Sequence, residues 1–143
     1  MAGFETRLNC HNIGLSNTTS KSTFKTYRLE NIGDTHLIAD EDGDMKMYPL
    51  DSIDLNVERI DFVKIDVEDY ELYVLAGMTE TLEKYKPLVF IESLPHIYIK
   101  MNQFMLEHGY EKTKDYAHHN YLYSPLGGAD VGPGGMKKII IKP

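Results

Sequence analysis

The sequence predicts an α/β chain: a strand–helix–strand unit in the middle, a C-terminal β-hairpin and a β-rich N-terminal third. Three observations predict it. Residues 60–67, "IDFVKIDV", are nearly continuous apolar with β-branched members, the pattern of a strand buried on both faces. Val67, Glu71, Val74, Leu75, Met78 and Leu82 recur at steps of three and four, so residues 67–85 read as a helix with one apolar face. Pro87 stops that helix, and "LVFIE", Leu88 to Glu92, reads as a second buried strand. Such a unit has parallel strands and a right-handed crossover.

The other elements follow in chain order. "TRLNCHNIGLSN" alternates weakly and ends in a polar cluster, and "STFKTYRL" places Phe24, Tyr27 and Leu29 among polar residues. "THLIADEDGDMKMYPL" carries Asp42-Gly43 between two strand-like runs, a hairpin signal because glycine takes positive φ without penalty. "LDSIDL" reads as a helical turn or loop. Gly77 bends or interrupts the central helix, and Thr79 is placed to cap a second short one. A further helix runs from about His96 to Glu107, with Ile97, Met101, Phe104 and Met105 on one face and Gly109 where a C-terminal glycine belongs. "YEKTKDYAHHNYLYSP" reads as two strands around a polar turn. "LGGADVGPGG" is a linker by composition, and "MKKIIIKP" is a short basic strand that pairs with a sheet edge or hangs free.

Bulk properties bound the function. At 143 residues the chain is about one domain and long enough to bury a core without staples. Its 42% hydrophobic and 26% charged residues are ordinary for a globular protein. No stretch reads as a membrane span, and "MAGFETRLNC" lacks the pattern of a signal peptide. The single Cys10 has no internal partner, which fits a reducing, cytoplasmic setting. A net charge of −7 argues against nucleic-acid binding, which needs phosphate neutralisation. The six histidines fall at no metal-finger spacing, and no His-x-x-x-His pairing supports a metal centre. "GGADVGPGG" lacks the Gly-Lys-Ser/Thr end of a phosphate loop.

The chemistry concentrates where the two buried strands end. Ligands of open parallel sheets bind outside the carboxyl ends of the strands. The first strand ends at Asp66 and the second at Glu92, so neighbouring strands bring both acids to one rim. Glu68 opens the following helix near that rim, and His96 lies just beyond the second strand. Asp66, Glu68, Glu92 and His96 can bind a metal or a hydroxylated or cationic ligand, or supply a general base. Plainer roles stand beside these. Asp66 suits a helix cap, and Glu68 and Asp69 suit partners of the helix dipole, each contributing roughly 0.3–1 kcal/mol. His96 suits a surface or capping residue. Glu71 lies on the apolar stripe; a buried carboxylate costs several kcal/mol unless bonded, so it reads as an architectural acid bonded to loop amides. His118-His119 reads as a solvated turn.

The stretch "DFVKIDVEDYELYVLAGMTETLEKYKPLVFIES" resembles the FkbM family of S-adenosylmethionine-dependent methyltransferases. The family pattern is a strand ending in Lys-Ile-Asp-Val-Glu-Gly, a helix with Glu and Leu, then a Pro and a strand ending in Glu. Lys64, Ile65, Asp66, Val67, Glu68, Glu71, Leu75, Pro87 and Glu92 match it in order. "NIGLSN", "LDSI" and "HGYE…NYLY" resemble further family segments, extending the likeness over roughly residues 7–125. Asp69 stands where the family has glycine. No glycine here follows a buried strand and opens a helix, so the cofactor loop of the family's first half is absent.

The resemblance implies a partial Rossmann-like methyltransferase sheet over residues 1–125, followed by a Gly-rich linker and basic β-like tail at 126–143. By the family's strand order, 3-2-1-4-5-7-6, the chain holds strands 3 to 7. Strand 4 then has an open edge, to be covered by a protein partner, a second copy or the tail. The implied activity is S-adenosyl-L-methionine-dependent O-methylation of a small molecule, glycan or peptide, by a partial or split unit. In it Asp66 and Glu92 line the acceptor side, Glu68 supports them and His96 is the candidate base. Asn31 and Asp51 border the acceptor, and Gly14 and Leu15 lie near the adenine. The alternative is an inactive methyltransferase-like binding or assembly module, of the kind a compact viral genome carries.

Overall fold

The computed structural model describes residues 9–26, 35–128 and 138–141. The mixed α/β chain forms two sheets and three helices among these residues. The first sheet holds β1 (Gly14–Leu15), β2 (Ser20–Thr26), β3 (Thr35–Ala39) and β4 (Met45–Tyr48) in the order β1-β4-β2-β3. The second holds β5 (Phe62–Ile65), β6 (Leu88–Glu92), β7 (Tyr110–Tyr116), β8 (Asn120–Pro125) and β9 (Lys138–Ile141) in the order β7-β8-β6-β5-β9. No described helix is long and apolar enough to cross a membrane.

The N-terminal third is β-rich as expected, but its strands build their own sheet instead of adding a third strand to the central one. The intervening strands that would join it there are not among the described residues, so β1–β4 satisfy their backbone bonds among themselves. The expected hairpin at Asp42-Gly43 is also corrected. β3 and β4 do not pair; both run antiparallel to β2, one on each side, and Ser22 lies opposite both Ala39 and Met45. The chain steps across β2 at that point. Gly43 is required by close approach: a Cβ there would stand 2.1 Å from the Ser22 carbonyl oxygen.

The βαβ unit is as the sequence predicts. β5 and β6 are parallel, with Phe62 opposite Leu88 and Ile65 opposite Ile91. The crossover is α1 (Glu71–Ala76), a break at Gly77, and α2 (Thr79–Tyr85). A Cβ on Gly77 would meet the Ser16 carbonyl oxygen at 1.9 Å, so this glycine lets β1 seat against the helix break. Thr79 does not cap α2. Asp51, in the 3-10 turn Leu50–Ser52, does so across the chain: its carboxylate accepts from Glu80 N and Thr81 N, both at 2.9 Å, and from Thr81 Oγ1 at 2.6 Å. α3 (Pro95–Glu107) follows β6, with Pro95 in its first turn, and Gly109 takes φ +77 just beyond it.

All three helices lie on one side of the second sheet. Val63, Ile65, Val89, Ile91, Tyr123 and Ile141 meet Val74, Leu75, Met78, Leu82, Met101 and Met105 in one core. Burial on both strand faces is not what the structure shows. Phe62, Lys64, Leu88, Phe90 and Leu122 alternate onto the opposite face, half-buried, beside Ile140 at 59% exposure, and no described helix covers them. The tail provides the edge strand: β9 runs parallel to β5, pairing Lys138 with Phe62 through Ile141 with Ile65.

The β7–β8 hairpin turns through His118 and His119, at φ +60 and +58. Left-handed backbone costs a non-glycine residue roughly 1–2 kcal/mol. Replacing the pair by Asn-Gly is therefore expected to raise the unfolding free energy by about 1–2 kcal/mol in urea titrations. An unchanged midpoint would show that the turn carries no strain.

Candidate functional site

The carboxyl ends of β5 and β6 form the site. Asp66 directly follows Ile65, the last residue of β5, and Glu92 follows Ile91, the residue paired with Ile65, so both acids lie at the carboxyl ends of neighbouring strands. The two predicted acids thus share one rim. Ile65 and Ile91 point into the helix-covered core, so by alternation Asp66 and Glu92 project toward the uncovered face. Asp66 is tied down twice. Its N–H donates to the Ile141 carbonyl at 3.1 Å, and its carboxylate pairs with Lys64 Nζ. Lys64 is two residues away on the same strand face, a spacing that foretells the pair. The carboxylate of Glu92 has no hydrogen-bond or ion-pair partner among the described residues; across from it in β8 lies Asn120.

The β5–α1 turn departs from expectation. Glu68 does not open the helix; it sits in a left-handed turn with Asp69, at φ +42 and +68, and α1 starts at Glu71. Consecutive left-handed residues redirect the chain from strand to helix and forbid helical bonding at that point. Glu71 is the architectural acid anticipated. It is 2% exposed, and its Oε1 accepts the Asp69 N–H at 3.2 Å. Burial, reinforced by the charges of Asp69 and Glu68 and opposed by the turn amides, raises its pKa from 4.5 to about 7.

That shift carries a sign. An acid whose folded pKa lies above its unfolded value binds more protons when folded between pH 4.5 and 7, so stability falls as pH rises through that window. At about 1.4 kcal/mol per unit, the loss is of the order of 3 kcal/mol. Glu71→Gln keeps the acceptor oxygen and removes the titration. Denaturant titrations at pH 5 and pH 8 are expected to show a decline in the wild type that the variant lacks. Equal declines would mean that Glu71 does not titrate in this range.

His96, in the first turn of α3, places Nε2 3.0 Å from Asp69 Oδ1. The approach is within ion-pair range but lies off the axis of an aligned hydrogen bond, and that enclosed oxygen has no other polar partner. Spacing alone did not reveal this contact, because it depends on the left-handed turn swinging Asp69 toward α3. Ser93 Oγ is likewise buried without a partner beside the rim.

Gly14 is buried and Leu15 packs against the core. The next residue ties this segment to the rim turn, with Ser16 Oγ 3.2 Å from Tyr70 OH. Asp51 is engaged at the α2 N-terminus. Asn31 lies outside the described residues. No group of three or more His, Cys, Asp or Glu among the described residues is placed to hold a metal.

The parallel pair β5–β6 and the helices that follow each strand make an α/β arrangement with acids and a histidine near one strand end. Its particular family follows from the sequence match: residues 7–112 fit the family model of the methyltransferase FkbM domain, and the chain belongs to that family. Comparisons with curated proteins and with solved structures returned no match.

Proposed function

We propose that this chain is the acceptor-side unit of an S-adenosylmethionine-dependent methyltransferase with a Rossmann-like sheet, acting on a hydroxyl of a small molecule, glycan or peptide. The observation that supports the reading is the register that pairs Ile65 with Ile91, the residues just before Asp66 and Glu92, inside the segment that matches the family. Two acids of this kind suit hydrogen bonding to vicinal or neighbouring hydroxyls, and Glu92 retains its full accepting capacity. Glu68 lies in the turn above them, and His96 supplies a nitrogen base at the same rim.

The described residues do not by themselves fit the methyl donor. None of them forms a glycine-rich turn between a buried strand and a helix. Two grooves among the described residues, one of about 400 Å³ between residues 50–58 and α2 and another by Ser22 and Lys46, include neither Asp66 nor Glu92. Donor binding therefore falls to a complementary segment, either further sequence or a second polypeptide, and Gly14 and Leu15 are the residues of this chain nearest to such a role. Isothermal titration of S-adenosylmethionine into the chain, alone and with a segment carrying that turn, tests the reading. Micromolar binding only with the segment, and methyl transfer lost on Glu92→Gln, supports it. No binding in either arrangement rejects it.

A second reading, an inactive assembly module, is favoured by one observation: the uncovered, apolar-rich sheet face around Phe62, Phe90 and Ile140. Parallel sheets are ordinarily covered on both faces. A stable oligomer by light scattering, dispersed by Phe90→Lys, with no donor binding, would support this reading over the first.

A further inference from the structure

We propose that Asp69 and His96 form a carboxylate–imidazole dyad in which Asp69 is a positioning residue: it holds Nε2 of His96, leaving Nδ1 to accept a proton from a ligand hydroxyl at the rim. The inference rests on the acceptor-side reading of that rim.

Three features of the turn carry it. First, Asp69 adopts φ +68, a left-handed conformation that favours glycine over residues with a side chain. Backbone strain of this kind persists where the surrounding structure enforces it, and it gathers at working sites. Here the enforcement is visible, because buried Glu71 accepts the Asp69 N–H and fixes the residue's orientation. Second, the Oδ1 oxygen so aimed is enclosed, and the His96 ring at 3.0 Å is the polar group that faces it. An enclosed carboxylate oxygen gains a charge-assisted bond by taking the Nε2–H. Third, His96 is not adrift. It sits in the first turn of a 13-residue helix begun by Pro95, and its side chain is 61% exposed. The off-axis geometry matches what unliganded sites show before a ligand tightens them.

With Nε2–H directed at Asp69, the ring nitrogen carrying the lone pair is Nδ1. When a bound hydroxyl gives up its proton, the O–H bond breaks and its electron pair stays on oxygen. The proton forms N–H at Nδ1, and the resulting imidazolium sits against the Asp69 carboxylate. Glu68, on the same turn, and Glu71, at the start of α1, are the acids whose charges interact with one another and with Asp69 at this turn.

The test uses the full chain labelled with ¹⁵N-histidine, in mildly alkaline buffer. Long-range ¹H–¹⁵N correlation of the rings is expected to show His96 as the Nε2–H tautomer, against averaged nitrogen shifts for His118 and His119. Asp69→Gly suits the left-handed backbone and so folds; it should return His96 to averaged shifts. Asp69→Asn, which keeps an accepting oxygen, should retain the tautomer. Carbethoxylation by diethyl pyrocarbonate, mapped by peptide mass, should run several-fold faster at His96 than at the exposed turn histidines. That advantage should vanish in both Asp69 variants. Averaged His96 shifts in the wild type overturn the dyad. A fixed tautomer with no reactivity advantage overturns its role as a base. Absence of methyl transfer alongside both expected results would reject the proposed function and leave the dyad standing.

Discussion

Deleting residues 126–143 is expected to lower the unfolding free energy by about 2–4 kcal/mol and to increase association into higher-order species. The loss follows from what β9 does. Ile141 is 6% exposed within the core and Ile139 packs against it. Burying one such side chain contributes roughly 1.5–3 kcal/mol, offset in part by the entropy of ordering the strand. The second consequence is kinetic as well as thermodynamic. Without β9, the β5 backbone loses its four-residue ladder, and Asp66 loses its bond to the Ile141 carbonyl. An open edge of apolar, β-branched sequence is a template for another strand. Denaturant titration and light scattering on the truncated chain check both parts. An unaltered midpoint and a size distribution equal to that of the intact chain would mean that β9 is dispensable to the sheet.

Leu75→Ala is expected to cost about 2–5 kcal/mol, the range for removing a large aliphatic side chain from a close-packed interior. Leu75 is fully buried in the last turn of α1, in the cluster it forms with β5, β6 and α3. The six-residue helix has too few backbone bonds to hold its place by propensity, so its position depends on this packing. A melting temperature within a degree of the wild type would mean that α1 is wrongly phased against the sheet.

The central elements were legible because each carries its own signal. β6 coincides with "LVFIE", α3 with the Pro95-led periodic segment, and the interruption at Gly77 with the split between α1 and α2. Adjacent placement of Asp66 and Glu92 follows from strand ends and parallel pairing alone. Three things were not legible, each for a physical reason. Apolar residues at both parities of β5 and β6 say that both faces prefer cover, not that cover is present. Asp42-Gly43 has the composition of a hairpin turn, yet the same two residues serve a chain that crosses β2, and only the pairing of β2 distinguishes them. The Asp69–His96 approach depends on two consecutive positive φ angles, and acidic residues there give no local cue to such a backbone. Asp51 shows the same limit. Its Leu-Asp context marks it, but the role the structure gives it is a cap on a helix about thirty residues away.

The parallel pairing of β5 with β9 has a consequence for biosynthesis. On a ribosome adding 5–20 residues each second, the strand that closes the sheet emerges roughly 4–15 s after the one it protects. For that interval the nascent chain presents a sticky flank to whatever is nearby, including sister chains on the same message. Chaperone dependence during translation, rather than marginal equilibrium stability, is where this architecture would be most exposed to failure in a cell.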